Sequence, residues 1–113
     1  MGSEMCIRDR FSQDSFDLFN FCYFCDKENR SGVGFDKPQI EGRHGSTFGG
    51  VSSESFGHYG YTGSMAWADP DKNIIFIFLS NRTYPTRENT LLQTSNTRTR
   101  SQEIVYKSLL DYK

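Results

Sequence analysis

The sequence predicts an α+β fold in which an antiparallel sheet lies between helices, an α/β sandwich, and three observations lead there. Three short strand-like segments, Glu54–Gly60, Ser64–Ala68 and Ile74–Ser80, follow one another with only turn chemistry between them. Helix-start chemistry stands on either side, with Ser12 and Asp14 ahead of the strands and the Thr99-x-x-Gln102 spacing behind them. The run Ile74 to Leu79 is apolar at every position, which calls for cover on both faces and hence for a central strand between helical layers.

Taken in order, Met1–Arg10 has no apolar h-region, no small-residue cleavage site and no helical or strand period. Codons for Met5–Arg10 and for Gly2-Ser3-Glu4 resemble a transposase adapter used in sequencing libraries, so native sequence is expected from near Phe11. The alternative is an ordinary exposed tail. Behind Ser12, the residues Phe16, Leu18, Phe19, Phe21, Tyr23 and Phe24 form a cluster expected to be core in a chain that is 15% aromatic. Asp26–Ser31 is a charged loop, and Gly32-Val33-Gly34-Phe35 a short strand stopped by Pro38.

Ile40–Ser53, rich in Gly, Ser and Thr, is expected to be a surface loop. His44 sits in it without a second ligand or catalytic partner at a useful spacing, so solvent exposure is its expected state. Tyr61-Thr62-Gly63 makes a tight connection. Asp69-Pro70-Asp71-Lys72-Asn73 is hairpin chemistry, with proline fixing one φ angle and asparagine tolerating a left-handed one. Asn81–Asn96, which contains Pro85, is expected to be a loop. The last helix then sets Ile104, Val105, Leu109 and Tyr112 against the sheet.

A length of 113 residues bounds the chain to one domain at most. Thirteen basic and fourteen acidic residues give a net charge of −1, without the basic excess that a nucleic-acid partner demands. No apolar run is long enough for a membrane segment. Cys22 and Cys25 form a C-x-x-C inside an aromatic run, but zinc needs a second ligand pair and redox chemistry a βαβ context, so two packed thiols are expected. The residue pattern calls for no metal and no cofactor.

The stretch Gly57-His58-Tyr59-Gly60-Tyr61-Thr62-Gly63-Ser64, followed by Trp67, Asp69-Pro70 and Phe78-Leu79-Ser80-Asn81-Arg82, resembles the last third of serine hydrolases of the β-lactamase and penicillin-binding-protein family, DD-peptidases and esterases included. Gly32–Pro38 upstream and Asn96–Arg100 downstream resemble one bacterial branch, so the likeness runs from roughly Phe11 to the end. It implies the C-terminal portion of the β-lactamase/DD-peptidase fold, truncated, over residues 11–113. It also implies a periplasmic or otherwise extracytoplasmic, cell-wall setting. In some members of that branch the domain follows a glycoside-hydrolase domain.

The implied chemistry is acyl transfer on a D-amino-acid peptide, a β-lactam or an ester, in which a serine attacks a carbonyl and backbone N–H groups hold the oxyanion. No serine here is followed by lysine three residues on, and neither Y-x-N nor S-x-N occurs. The nucleophile must therefore come from the missing N-terminal part of the same domain, and this chain alone is expected to be inactive. His58-Tyr59-Gly60 stands where the family has Lys or His, then Thr or Ser, then Gly. The resemblance thereby makes His58, Gly60 and the Tyr61 N–H catalytic residues, with Tyr59 and Thr62 binding substrate. Tyr59 departs from the pattern, because a phenol is longer than a threonine hydroxyl. Bare chemistry treats Asn81-Arg82, Arg98 and Arg100 as loop capping and surface pairing, and Thr62 and Ser64 as turn residues. Two rival functions remain: a non-catalytic relative that binds peptidoglycan-like ligands, and a small β-rich domain that binds a partner.

Overall fold

The computed structural model describes residues 10–27, 29–38 and 47–111. In chain order these form α1 (Gln13–Asn20), a 3-10 turn (Cys25–Lys27), β1 (Phe56–Tyr59), β2 (Met65–Asp69), β3 (Ile74–Phe78), α2 (Leu91–Thr94) and α3 (Thr97–Leu110). An α+β architecture is what the sequence predicts. His44 and Tyr112 lie outside the described residues.

Ser12 starts α1 as expected, its Oγ accepting from the Ser15 N–H at 3.1 Å. The aromatic cluster behind it is not core: Leu18, Phe19, Phe21, Tyr23 and Phe24 are all exposed. An eight-residue helix turns one narrow stripe inward, and here the stripe is Phe16 and Asn20. Phe16 meets Phe56 edge-on at 5.3 Å, and Asn20 donates to the Glu54 carbonyl at 3.2 Å. Cys22 and Cys25 are not packed thiols but a disulfide, their Cα atoms 5.6 Å apart. The strand expected over Gly32–Phe35 is a tight turn, closed by Gly32 N–H to Phe35 O at 2.7 Å. Gly34, at φ +95°, reverses the chain there, so the extended pairing falls on Asp36, which bridges to Ser31 and to Gly57.

The three strands form an antiparallel meander in the order β1-β2-β3. Gly63 at φ +95° and Asn73 at φ 55° turn the two connections, as their residue types predict. The register places Gly57, Trp67 and Phe76 in one row and Tyr59, Met65 and Phe78 in the next. These rows make the inner face, where Met65, Trp67 and Phe76 are the buried nucleus and Val51, Tyr59, Phe78 and Val105 pack against it. Glycine at 57 is a packing requirement, since a Cβ there would run into the Ala66 carbonyl and the Trp67 indole.

One strand assignment changes. Hairpin connections keep strands in sequence order, so β2 is central and β3 lies at an edge of this sheet. Its outer residues are bare, with Ile75 75%, Ile77 62% and Leu79 81% exposed, because α1 covers that face only at the Phe56 end. An apolar face of this kind predicts that the chain on its own is poorly soluble and binds a hydrophobic dye. Dye binding should fall several-fold in an Ile75→Lys, Ile77→Glu double variant. A monomer that melts sharply and binds no dye would contradict this.

At the C-terminal side, the expected loop Asn81–Asn96 contains the short α2, and Asn96, at φ 52°, breaks the chain before α3. The Thr99-x-x-Gln102 spacing is not a capping box: α3 has already begun at Thr97, and Gln102 is a buried residue whose Oε1 accepts from the Phe48 N–H at 3.3 Å. The inward face of α3 is Gln102, Val105 and Tyr106, while Ile104 and Leu109 point to solvent. A one-position rotation of the stripe separates this face from the one the apolar residues suggest. The described part of the expected surface loop, Thr47–Ser53, also packs inward, with Phe48 against Tyr106 at 4.8 Å and Thr47 buried.

Asp69 ties these pieces together. Its carboxylate, 1% exposed, accepts from Ser52 Oγ at 2.5 Å, the Ser52 N–H at 2.9 Å, the Tyr106 hydroxyl at 2.9 Å and the Lys72 N–H at 3.2 Å. Burial pushes its pKa up, but the hydrogen bonds from Ser52, Tyr106 and Lys72 outweigh that and hold it below the ordinary aspartate value. Burial and the Asp69 bond push the Tyr106 hydroxyl up, so it stays a donor. A depressed carboxyl stabilises the fold fully above the unfolded pKa and stops doing so as pH falls through the lower folded value. Asp69→Asn is therefore expected to cost about 2 kcal/mol at neutral pH and to flatten the acid limb of stability, read by Trp67 fluorescence against pH.

Candidate functional site

The candidate residues run along the end of β1 and around the turn into β2. His58 is on the exposed outer face, in a row with Ala66 and Ile77. Two-residue periodicity puts the next side chain on the opposite face, so Tyr59 does not sit beside His58. Its ring lies on the inner face, 5.8 Å from Trp67, with the Arg30 and Arg98 guanidinium groups 5.9 and 5.1 Å from the ring centre. The structure thus brings His58 and Gly60 to one exposed strand end and packs Tyr59 into the wall behind them.

Gly60 closes the turn, donating to Ser64 O at 2.7 Å and accepting from the Gly63 N–H at 3.0 Å. A Cβ at Gly60 would meet only Ser64, at 3.6 Å, so this chain's own packing does not require glycine there. The Gly60 and Gly63 N–H groups are spent inside the turn, whereas no backbone carbonyl of the described residues accepts from the Tyr61 N–H. The Tyr61 ring is exposed and stacked with Arg82, whose guanidinium is 4.9 Å from its centre. Thr62 is exposed, and its carbonyl accepts from the Arg82 N–H at 2.9 Å and from Ser80 Oγ at 3.1 Å.

Four further residues hold this turn in place. Ser64 Oγ donates to Ser80 O at 3.2 Å and accepts from the Ser80 N–H at 3.1 Å, which staples the start of β2 to the end of β3. Arg82 stacks on Tyr61 while its Nη1 donates to Arg87 O at 3.1 Å, and Arg98 Nη1 donates to Gly63 O at 3.4 Å while stacking on Tyr59. Loop capping is what the sequence predicts for these arginines; their convergence on one turn from 19 and 35 residues away is not legible in it. Arg100 is exposed.

A cavity of about 680 Å³ lies at the other end of the outer face, lined by Phe16, Phe56, Ala68 and Ile75 among others, and touches none of the candidate residues. A smaller groove of about 450 Å³ runs from Ser80 and Arg82 to Leu92 and Thr97, on the side of the turn where the arginine clamp lies. Among the described residues, no three His, Cys, Asp or Glu side chains converge as a metal site, and no helix is long and apolar enough to cross a membrane.

A family model described as Beta-lactamase matches residues 26–97. The matched stretch contains β1, β2, β3, α2 and the whole turn built around Gly60 and Gly63. No curated protein and no solved structure matches the chain. A model that spans more than half of the 113 residues and is centred on the sheet and its pinned turn decides the matter: the chain belongs to the β-lactamase family, a family of serine hydrolases.

Proposed function

We propose that this chain is the C-terminal segment of a bacterial serine hydrolase that transfers or hydrolyses the acyl group of a D-amino-acid peptide, a β-lactam or an ester. In this proposal β1 and its turn are one wall of the site, and the segment that precedes them in the complete domain brings the nucleophilic serine and its lysine. The observation that carries it is the pinned turn: two arginines and the Ser64–Ser80 staple fix a short strand end on which His58 is exposed, Gly60 leaves room and the Tyr61 N–H is left over. Such an arrangement supplies a preorganised oxyanion donor and a polar side chain near developing charge. A rigid donor needs no reorganisation when the tetrahedral intermediate forms. His58 lies toward the substrate's acidic end or the proton-managing tyrosine, and the bare backbone at Gly60 lets substrate lie against the strand. The setting is the periplasm or cell surface, with peptidoglycan-derived peptides as the natural class and a glycoside-hydrolase domain as an upstream neighbour in the same polypeptide.

The packing of Tyr59 favours a second reading. A tyrosine ring enclosed by Trp67, Arg30 and Arg98 presents no short hydroxyl beside His58, which suits a relative that binds peptidoglycan-like ligands without turning them over. The experiment is to join the chain to its native upstream sequence and assay a chromogenic β-lactam, a p-nitrophenyl ester and a D-Ala-D-Ala peptide. Turnover by the joined protein and none by the chain alone is the expected result. Turnover by the chain alone overturns the division of the site, and binding without turnover by the joined protein establishes the second reading.

A further inference from the structure

The C-x-x-C of the aromatic loop takes no part in the candidate site. Cys22 and Cys25 are disulfide-bonded, and neither is buried. The bond lies outside the sheet and its core, on the loop between α1 and the 3-10 turn that Cys25 begins. A ring closed over only two intervening residues restricts little chain, so the sheet has no need of it. Both cysteines line a small cavity of about 240 Å³, together with Asn20, Lys37, Ser53 and Glu54. Lys37 is buried there, its Nζ donating to Asn20 Oδ1 at 3.2 Å, with burial lowering its pKa and the Glu54 and Asp71 carboxylates working against that. Phe21 also lines the cavity, and Phe21, Tyr23 and Phe24, beside the two cysteines in sequence, are all exposed, which gives an approaching thiol protein an apolar surface to rest on.

We propose that Cys22–Cys25 is a reversible thiol–disulfide exchange site whose co-substrate is a dithiol. A thiolate of the dithiol attacks one cysteine sulfur, the Cys22–Cys25 S–S bond breaks, and the other cysteine leaves as a thiolate that takes a proton. The second thiol of the co-substrate then attacks the mixed disulfide and releases the first cysteine, leaving the co-substrate as its disulfide. Two electrons and two protons pass from the dithiol to the cysteine pair.

The test uses the full chain carrying Cys6→Ser, so that only this pair reports, with dithiothreitol as the dithiol and graded glutathione buffers for the equilibrium. Acid quenching, alkylation and mass spectrometry count the free thiols. Dithiothreitol is expected to reduce the pair in plain buffer with the Trp67 emission unchanged. The exchange constant with glutathione is expected to differ about tenfold or more between buffer and urea, because the folded surroundings set it. Reduction only in urea, or loss of the Trp67 signal on reduction, would make the bond a structural staple and overturn the proposal. Equal constants in buffer and urea, or free thiols at every glutathione ratio, would overturn it as well.

Discussion

In the joined protein proposed above, His58→Ala is expected to lower kcat/KM by about 100-fold, the size of effect seen when a group aimed at developing charge is removed. The position suits a clean test. His58 is exposed and its cross-strand neighbours on the outer face are Ala66 and then Ile77, so an alanine removes the imidazole without opening a cavity. His44→Ala is the control and should leave the rate alone. Wild-type activity in both variants would make His58 a strand residue without a catalytic role.

A larger effect on the fold is expected from Trp67→Ala. The indole is 1% exposed, lies under Gly57 where no Cβ fits, packs against Tyr59 and pairs across the strands with Phe76. Truncating a buried aromatic of this size costs about 3–5 kcal/mol, a large part of the roughly 5–15 kcal/mol that holds a domain together. Hydrogen exchange should show β1 and β2 losing protection together, and the turn that carries Gly60 and Tyr61 should lose its order with them. Ile77→Ala, on the bare face of the neighbouring strand, is expected to change stability by no more than about 0.5 kcal/mol. Equal losses in the two variants would mean that the inner face is not the core.

How much of the fold is legible in the residues depends on the range of the interaction concerned. The Ser12 cap, the Asn73 turn and the three strands are readable because each rests on neighbours in sequence. The apolar run Ile74 to Leu79 misleads: it says that both faces want cover but not which strand supplies the neighbour, and hairpin order makes β3 an edge here. Gln102 and Tyr106 do not read as inward residues, because a polar side chain faces the interior only when a distant backbone group or carboxylate pairs with it, as Phe48 and Asp69 do. The arginine clamp is invisible for the same reason. The His-x-Gly triplet falls at the end of β1, and the two-residue period of a strand is enough by itself to separate Tyr59 from His58.

The meander also bears on the order in which the chain acquires its shape. Its two hairpins close over short turns, whereas the Tyr106–Asp69 and Phe48–Gln102 bonds join residues 37 and 54 positions apart. Loop-closure entropy makes near contacts quick to form and remote ones slow, so the sheet should assemble in the folding transition state and α3 should dock after it. Mutations at the β1–β2 hairpin, such as Gly57→Ala, should then slow folding. Tyr106→Phe, which removes only the hydroxyl bonded to Asp69, should leave the folding rate nearly unchanged and speed unfolding instead.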